Sequence, residues 1–490
     1  MEKRIEELEG LIRDLDIPES NQMILSQNSS AYERSVGANA GPSEWLDNLP
    51  ERKSLRALVQ IFFKNHPHPR RMFHQRTFLE ALDLPIDHPD FPQPAILHSI
   101  CAIVGMMTDE VPPPPRPNFA ERPDDVLFPR NYQRRNDLPD SFCELHAQLA
   151  TAEIDKCEED EKHYLDCLRA LTILTCHYHS YAKLYDTYLI SGRAARLSSL
   201  LGLNQYFDPG FNYRSVESVT LEESRRNSFW LMYAQERLFV TGSAWPMCID
   251  DDDIVQLLPL PLDYFNQGIS VCLEKRQWST SPNILFHHPP ELTDPFVLYI
   301  KSSILVSKVK RFQSRQHTLT FRESNGALTE SIDDLRQTKE FQEVDALTEL
   351  FVSKFPKEYT FNWNGDATEV HLFLAVLAPY LASIHLHLPH ANASSSDCPS
   401  ARRILGAANT AVSHIRAAWA SSARMLMMNA TFAMYSLFMC GKVMLTFLHA
   451  EGRRHMRLAD NEIERKCEEN IAFITLALGQ VGDRSPLARQ

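Results

Sequence analysis

Glycine is scarce in this chain: 16 of 490 residues, against an average of about 7% in soluble proteins. With so few flexible turn residues, and with Leu- and Ala-rich amphipathic stretches throughout, helices are favoured over hairpins. No CxxC pair occurs among the ten cysteines, and the closest two, Cys167 and Cys176, are too far apart for the short ligand spacing of a structural zinc site. The cysteines therefore read as buried or free thiols of a reducing compartment. Enzyme signatures are missing as well. There is no HExxH, no GxSxG and no GxGxxG, and Cys440-Gly441-Lys442 lacks the first glycine of a phosphate-binding loop.

An excess of basic charge is also absent. The formal net charge is −13, so the chain as a whole repels a phosphate backbone, and a grip on DNA has to come from a local patch. The charged N-terminal stretch has no apolar core of a secretory signal. Two apolar runs, at 370–388 and 425–448, have the length of membrane spans. Three histidines and Pro379 interrupt the first, Asn429 and Lys442 the second. Both read as buried core helices, and no membrane association is expected.

What is present is mostly helical periodicity. Ile5, Leu8, Ile12 and Leu15 fall at spacings of three, four and three, an a/d seam with Ile at a and Leu at d that suits a parallel two-stranded coiled coil. Two heptads are short, and an amphipathic helix lying on the body is the alternative. The expected layout is a dimerisation helix at 1–16, a linker at 17–50, a large all-α regulatory domain at 51–480 with long Pro-rich loops, and a loose tail at 481–490. Helices are predicted at 52–64, 94–109, 141–157, 163–204 with a break near 180, and 219–241. An irregular stretch follows to about 294. Further helices are predicted at 295–315, 330–354, 369–388, 400–420, 424–450 and 459–479.

Within the helix 219–241, Glu222, Arg226, Trp230, Tyr233 and Arg237 share one stripe. Glu222 is placed to pair with Arg226, and Arg226 to lie over the Trp230 ring. Apolar neighbours crowd the stripe, so its arginines read as members of buried ion-pair networks and not as a DNA face. Asp250–Asp253 fails the calcium-loop template, because Val255 stands at the sixth position and Pro261 at the twelfth. The run reads as a solvated loop leading to a helix N-terminus. His177 with His179, and His385 with His387, are i, i+2 pairs on helices; their rings point apart, and no metal site is expected.

Taken in order, several segments resemble the fungal-specific transcription factor domain, the middle homology region of binuclear zinc-cluster regulators of the xylanolytic-activator type. FHQRTFLEAL, AILHSICAIVG and YLISGRAARLSSLLGLN lead to the most recognisable motif, carried by Arg225, Arg226, Phe229, Trp230, Tyr233, Arg237 and Pro246. The chain departs from the family pattern at Asn227, Glu236, Ala244-Trp245 and Asn204. The resemblance implies a nuclear regulator of RNA polymerase II transcription and no enzyme. It implies homo- or heterodimerisation through the N-terminal seam, and possible control by a small-molecule effector. It further implies that DNA is reached only through a six-cysteine zinc module or a partner, since no zinc ligands of that module occur in this sequence. A truncated form without that module, cut from a longer design, is the expectation, with a naturally shortened regulator as the alternative. The rival reading is an all-α binding protein or enzyme with a central pocket lined by His, Tyr and Asp residues of 164–188.

Overall fold

The computed structural model describes residues 45–46, 48–112, 129–206, 216–323, 334–359, 369–428, 430–452, 462–482 and 484–489. The chain divides into two units, 1–48 and 49–490. The second is all-α. Its described residues form sixteen α-helices and no strand, with two isolated backbone bridges, Gln205 with Val255 and Leu257 with Trp278. The coiled-coil seam at Ile5, Leu8, Ile12 and Leu15 lies outside the described residues.

The first half is built on α1 (Arg52–Asn65), α2 (Pro69–Met72), α3 (Gln75–Ala81), α4 (Pro94–Val104), α5 (Pro129–Arg135), α6 (Phe142–Glu159), α7 (Tyr164–Ser180) and α8 (Leu184–Leu200). Proline at N1 starts α4, where its missing N–H costs nothing. Ten of the eleven α4 residues are buried, because α1, α6 and α7 cover it. Helix α6 begins with a capping box, Ser141 accepting from the Glu144 amide and Glu144 accepting from the Ser141 amide. The same carboxylate takes the buried Lys183 ammonium at 2.9 Å, which ties the start of α6 to the α7–α8 turn. Gly105, just past α4, lets the helices approach: a Cβ there would lie 2.1 Å from Cys143 Sγ.

The long helix α9 (Val216–Val240) leads to the loop segment 241–294, which holds one short helix, α10 (Leu262–Gln267). Then come α11 (Pro295–Glu323), α12 (Lys339–Lys354), α13 (Glu369–His387), α14 (Pro399–Met428), α15 (Ala430–Gly452) and α16 (Glu462–Val481). Helices α11, α13, α14, α15 and α16 pack in that succession, and α7 touches α9 and α15, so α7 joins the two halves. From Cys167 to Ser180 every α7 residue is buried.

The two span-length apolar windows, Val370–His390 and Phe432–Ala450, are 72% and 56% buried inside the protein. That is the placement of core helices. Two expectations need correction. The C-terminal segment is docked: Ser485 Oγ donates to the Ser180 carbonyl at 3.0 Å, and Arg484 donates to the Gly105 and Thr108 carbonyls at 3.0 and 2.6 Å. Helices α2, α3, α5 and α10 lie where no helix is expected, since four to seven residues are too few to display a 3.6-residue period.

Candidate functional site: a buried arginine lattice beside an apolar cavity

Helix α9 places its stripe inside the protein. Arg226 is 6% exposed, Trp230 0%, Tyr233 2% and Arg237 1%; Phe229 is buried with them, Arg225 is half-buried and Pro246 is exposed. The partner of Arg226 is Glu223, not Glu222. Glu223 also takes Arg276 at 3.0 Å and the Leu260 amide at 3.0 Å. Burial pushes the Glu223 carboxyl up, but the two guanidiniums and that amide outweigh it and hold it below the usual carboxylate range. Arg226 does not cover Trp230 among the described contacts. The indole instead donates to the Leu257 carbonyl at 2.8 Å, and the ring covered by a guanidinium is Tyr233, with Arg237 4.3 Å from its centroid.

Arg237 is the knot of the lattice. It pairs with Glu236, reaches Asp251 Oδ1 at 3.0 Å and donates to Ser307 Oγ at 2.9 Å. Burial works against its charge, yet Glu236, Tyr233 and Asp251 together hold its pKa well above the ordinary value. Asp251 also accepts from Tyr233 Oη at 2.9 Å and from Ser307 Oγ at 2.6 Å. The acidic run is therefore not wholly solvated, and no helix begins where it ends: Asp251–Asp253 make a single 3-10 turn, and α10 starts only at Leu262. Asn227 is fully buried, and its amide has no hydrogen-bond partner among the described residues.

Beyond the end of α9, a cavity of about 510 Å³ opens between α7, α8, α15, α16 and the C-terminal segment. Its size is that of a small-molecule site. His179, Tyr188, Trp245, Phe432, Tyr435 and Phe438 supply most of its aromatic wall. Trp245 stacks on Tyr188 at 4.8 Å, and His179 on Phe239 at 4.3 Å. Polar groups are few. Tyr435 Oη is hydrogen-bonded to His385 Nε2 at 2.6 Å, and His179 Nδ1 is buried without a partner among the described residues. Burial drives the His179 pKa down to about 3. Gly242 permits the close wall, because a Cβ there would lie 1.8 Å from Tyr435 Oη. Phe438 of its wall is 56% exposed.

Of the region 164–188 singled out in the sequence, His179, Leu184, Thr187 and Tyr188 line this cavity and its aspartates do not. The opposite wall, at 432–488, carries no local signal in the sequence. Its residues are brought opposite α8 by the packing of α15 on α7 and of α16 on α15.

The fold and lattice define an all-helical scaffold with a charged network buried in its core and an apolar chamber beside it. Residues 59–348 match the fungal specific transcription factor domain. The match spans more than half of the chain, which belongs to that family of transcription regulators. No curated protein and no solved structure matches it.

Proposed function

We propose that this chain is the sensing and regulatory part of a nuclear transcription factor of the xylanolytic-activator type, acting on RNA polymerase II transcription and controlled by an apolar, partly aromatic small molecule held in the 510 Å³ cavity. The carrying observation is the cavity's position. Gly242, Ser243 and Trp245 of its wall follow directly on α9, whose Arg237 anchors the Asp251 turn, so a ligand against Trp245 pulls on the lattice that is built from the family motif. Dimerisation runs through Ile5, Leu8, Ile12 and Leu15, and DNA is reached through a zinc-cluster module or a partner chain. The reading is of a binder and not a catalyst. An imidazole held neutral down to about 3 is far from the near-neutral pKa that suits a general base.

The test is Trp245 emission. Titration of the full chain with a set of apolar aromatic compounds is expected to yield ligands that shift it, with the response absent in Trp245→Phe and weakened at least about tenfold when Ser191→Trp fills the chamber. A set that leaves both emission and melting temperature unchanged removes the effector reading. Sedimentation of wild type against Leu8→Lys addresses the dimer separately: a monomeric wild type removes that part.

A further inference from the structure

Between α1 and α2 the chain reads Asn65-His66-Pro67-His68-Pro69. Pro67 ends the helix, since a proline disfavours the helical region for the residue before it, and His66 is accordingly extended, with φ −94° and ψ 139°. Rings two residues apart, which diverge on a helix, are here free to converge. Their centroids are 4.7 Å apart, and both rings are buried, at 2% and 3% exposure. Cys176 of α7 faces them. One ring nitrogen of each histidine and Cys176 Sγ lie within 4.8 Å of one another. The three side chains border a void of about 20 Å³, whose wall also includes Met106; that is room for about one water-sized particle.

We propose that His66, His68 and Cys176 form a binding site for one copper(I) ion, with the Met106 thioether at its edge. Softness of the donors argues for this ion: two imidazoles and a sulfur, with a second sulfur nearby and no carboxylate among the described lining residues. Charge argues the same way. A single thiolate neutralises a monovalent cation, so the loaded site is uncharged inside a wall that includes Ile103, Leu238, Leu374 and Phe432. Zinc would leave a net positive charge there, which is costly in an apolar interior, and would want a fourth strong ligand.

The surroundings orient the donors. His68 Nδ1 lies 3.1 Å from His371 Nε2; donating its proton there leaves His68 Nε2 with a lone pair for the metal, as outer partners do in metal sites. Gln235 Nε2 donates to Cys176 Sγ at 2.8 Å, a bond that supports a thiolate. His66 Nδ1 accepts the His68 amide at a long 3.3 Å, and a shift of the ring proton gives that bond up. Binding exchanges the thiol proton for copper: Cys176–SH and Cu⁺ give Cys176–S–Cu and H⁺, with no change of oxidation state. Bonds of about 2.0–2.3 Å require the donors to close in by about 1 Å.

Anaerobic titration of the full chain with Cu(I) against a chromophoric Cu(I) chelator, followed by X-ray absorption of the 1:1 form, tests the site. One tightly held equivalent with a shell of two nitrogens and a single short sulfur is expected, and Cys176→Ala is expected to weaken it at least about 100-fold. An all-sulfur shell would overturn the proposal, and so would an affinity unchanged in Cys176→Ala. The absorption measurement needs no variant and keeps the outcome readable if Cys176→Ala fails to fold. Zn²⁺ displacing the bound copper one for one at equal concentration would overturn the choice of ion.

Discussion

Arg237 shows how one residue binds three segments of chain. Its guanidinium meets Glu236 on its own helix, Asp251 on the following loop and Ser307 on α11. Removing it leaves the buried Glu236 and the half-buried Asp251 without their counter-charge, the situation in which breaking a buried pair is most damaging. Arg237→Ala is expected to lower unfolding stability by about 3–5 kcal/mol. Arg237→Lys is expected to recover only part of that, because an ammonium cannot reproduce the planar fork. Urea denaturation of the two variants beside wild type measures both; a loss under about 1 kcal/mol for Arg237→Ala would mean that the lattice contributes little. That Arg226 and Arg237 share a face follows from their place in the stripe, and their burial follows from the aromatic residues around them. Their partners were not readable in the same way. Glu223 was preferred to Glu222 because the Leu260 amide and Arg276 converge on it from the loop, and Asp251 turned inward because Arg237, Tyr233 and Ser307 all aim at it.

At the scale of elements, the longer helices were legible because an amphipathic period is written locally, whereas contacts between helices are not. Gly105 and Cys143 illustrate the second kind: one ends α4, the other begins α6, and the sequence gives no hint that they touch. Gly105→Ala places a methyl on the Cys143 sulfur and is expected to cost about 1–3 kcal/mol by overpacking. Cys143→Ala vacates that space, so the double variant should be more stable than the sum of the single changes implies. The coupling, read from a double-mutant cycle in chemical denaturation, should exceed about 0.5 kcal/mol. Strict additivity would show that the two helices move apart freely. The same distinction explains the cavity. Its α7–α8 wall was visible as a cluster of His and Tyr, while Phe432, Tyr435 and Leu478 became neighbours only through tertiary packing. It explains the His66–His68 nest as well. Histidines two apart diverge on a helix, and the pair that converges lies on a proline-bounded turn, facing a cysteine more than 100 residues further on.

For the whole molecule, the buried histidines set the response to acid. His66, His68, His177 and His371 are each at most 3% exposed. Burial is the largest cause of the downward shift at all four; it holds His68 and His177 to about 3, and His66 and His371 well below the ordinary value. In the unfolded chain the same imidazoles titrate near about 6.5. Between those limits the unfolded state binds protons that the native state refuses, so stability rises with pH across that window. It is fully present above about pH 6.5 and drains away as the pH falls toward 3. Each histidine contributes a slope of about 1.4 kcal/mol per pH unit. Glu223 acts in the same direction but lower: its pKa is depressed, so its contribution is lost only as the pH drops through the folded carboxylate value. The two sources therefore separate on the pH axis. Urea midpoints are expected to fall steeply from about pH 6.5 downward, well before the carboxylates protonate. A midpoint that stays level to pH 5 would show that these imidazoles take up protons in the native state, and that the interior around His66, His68 and His371 is open to water.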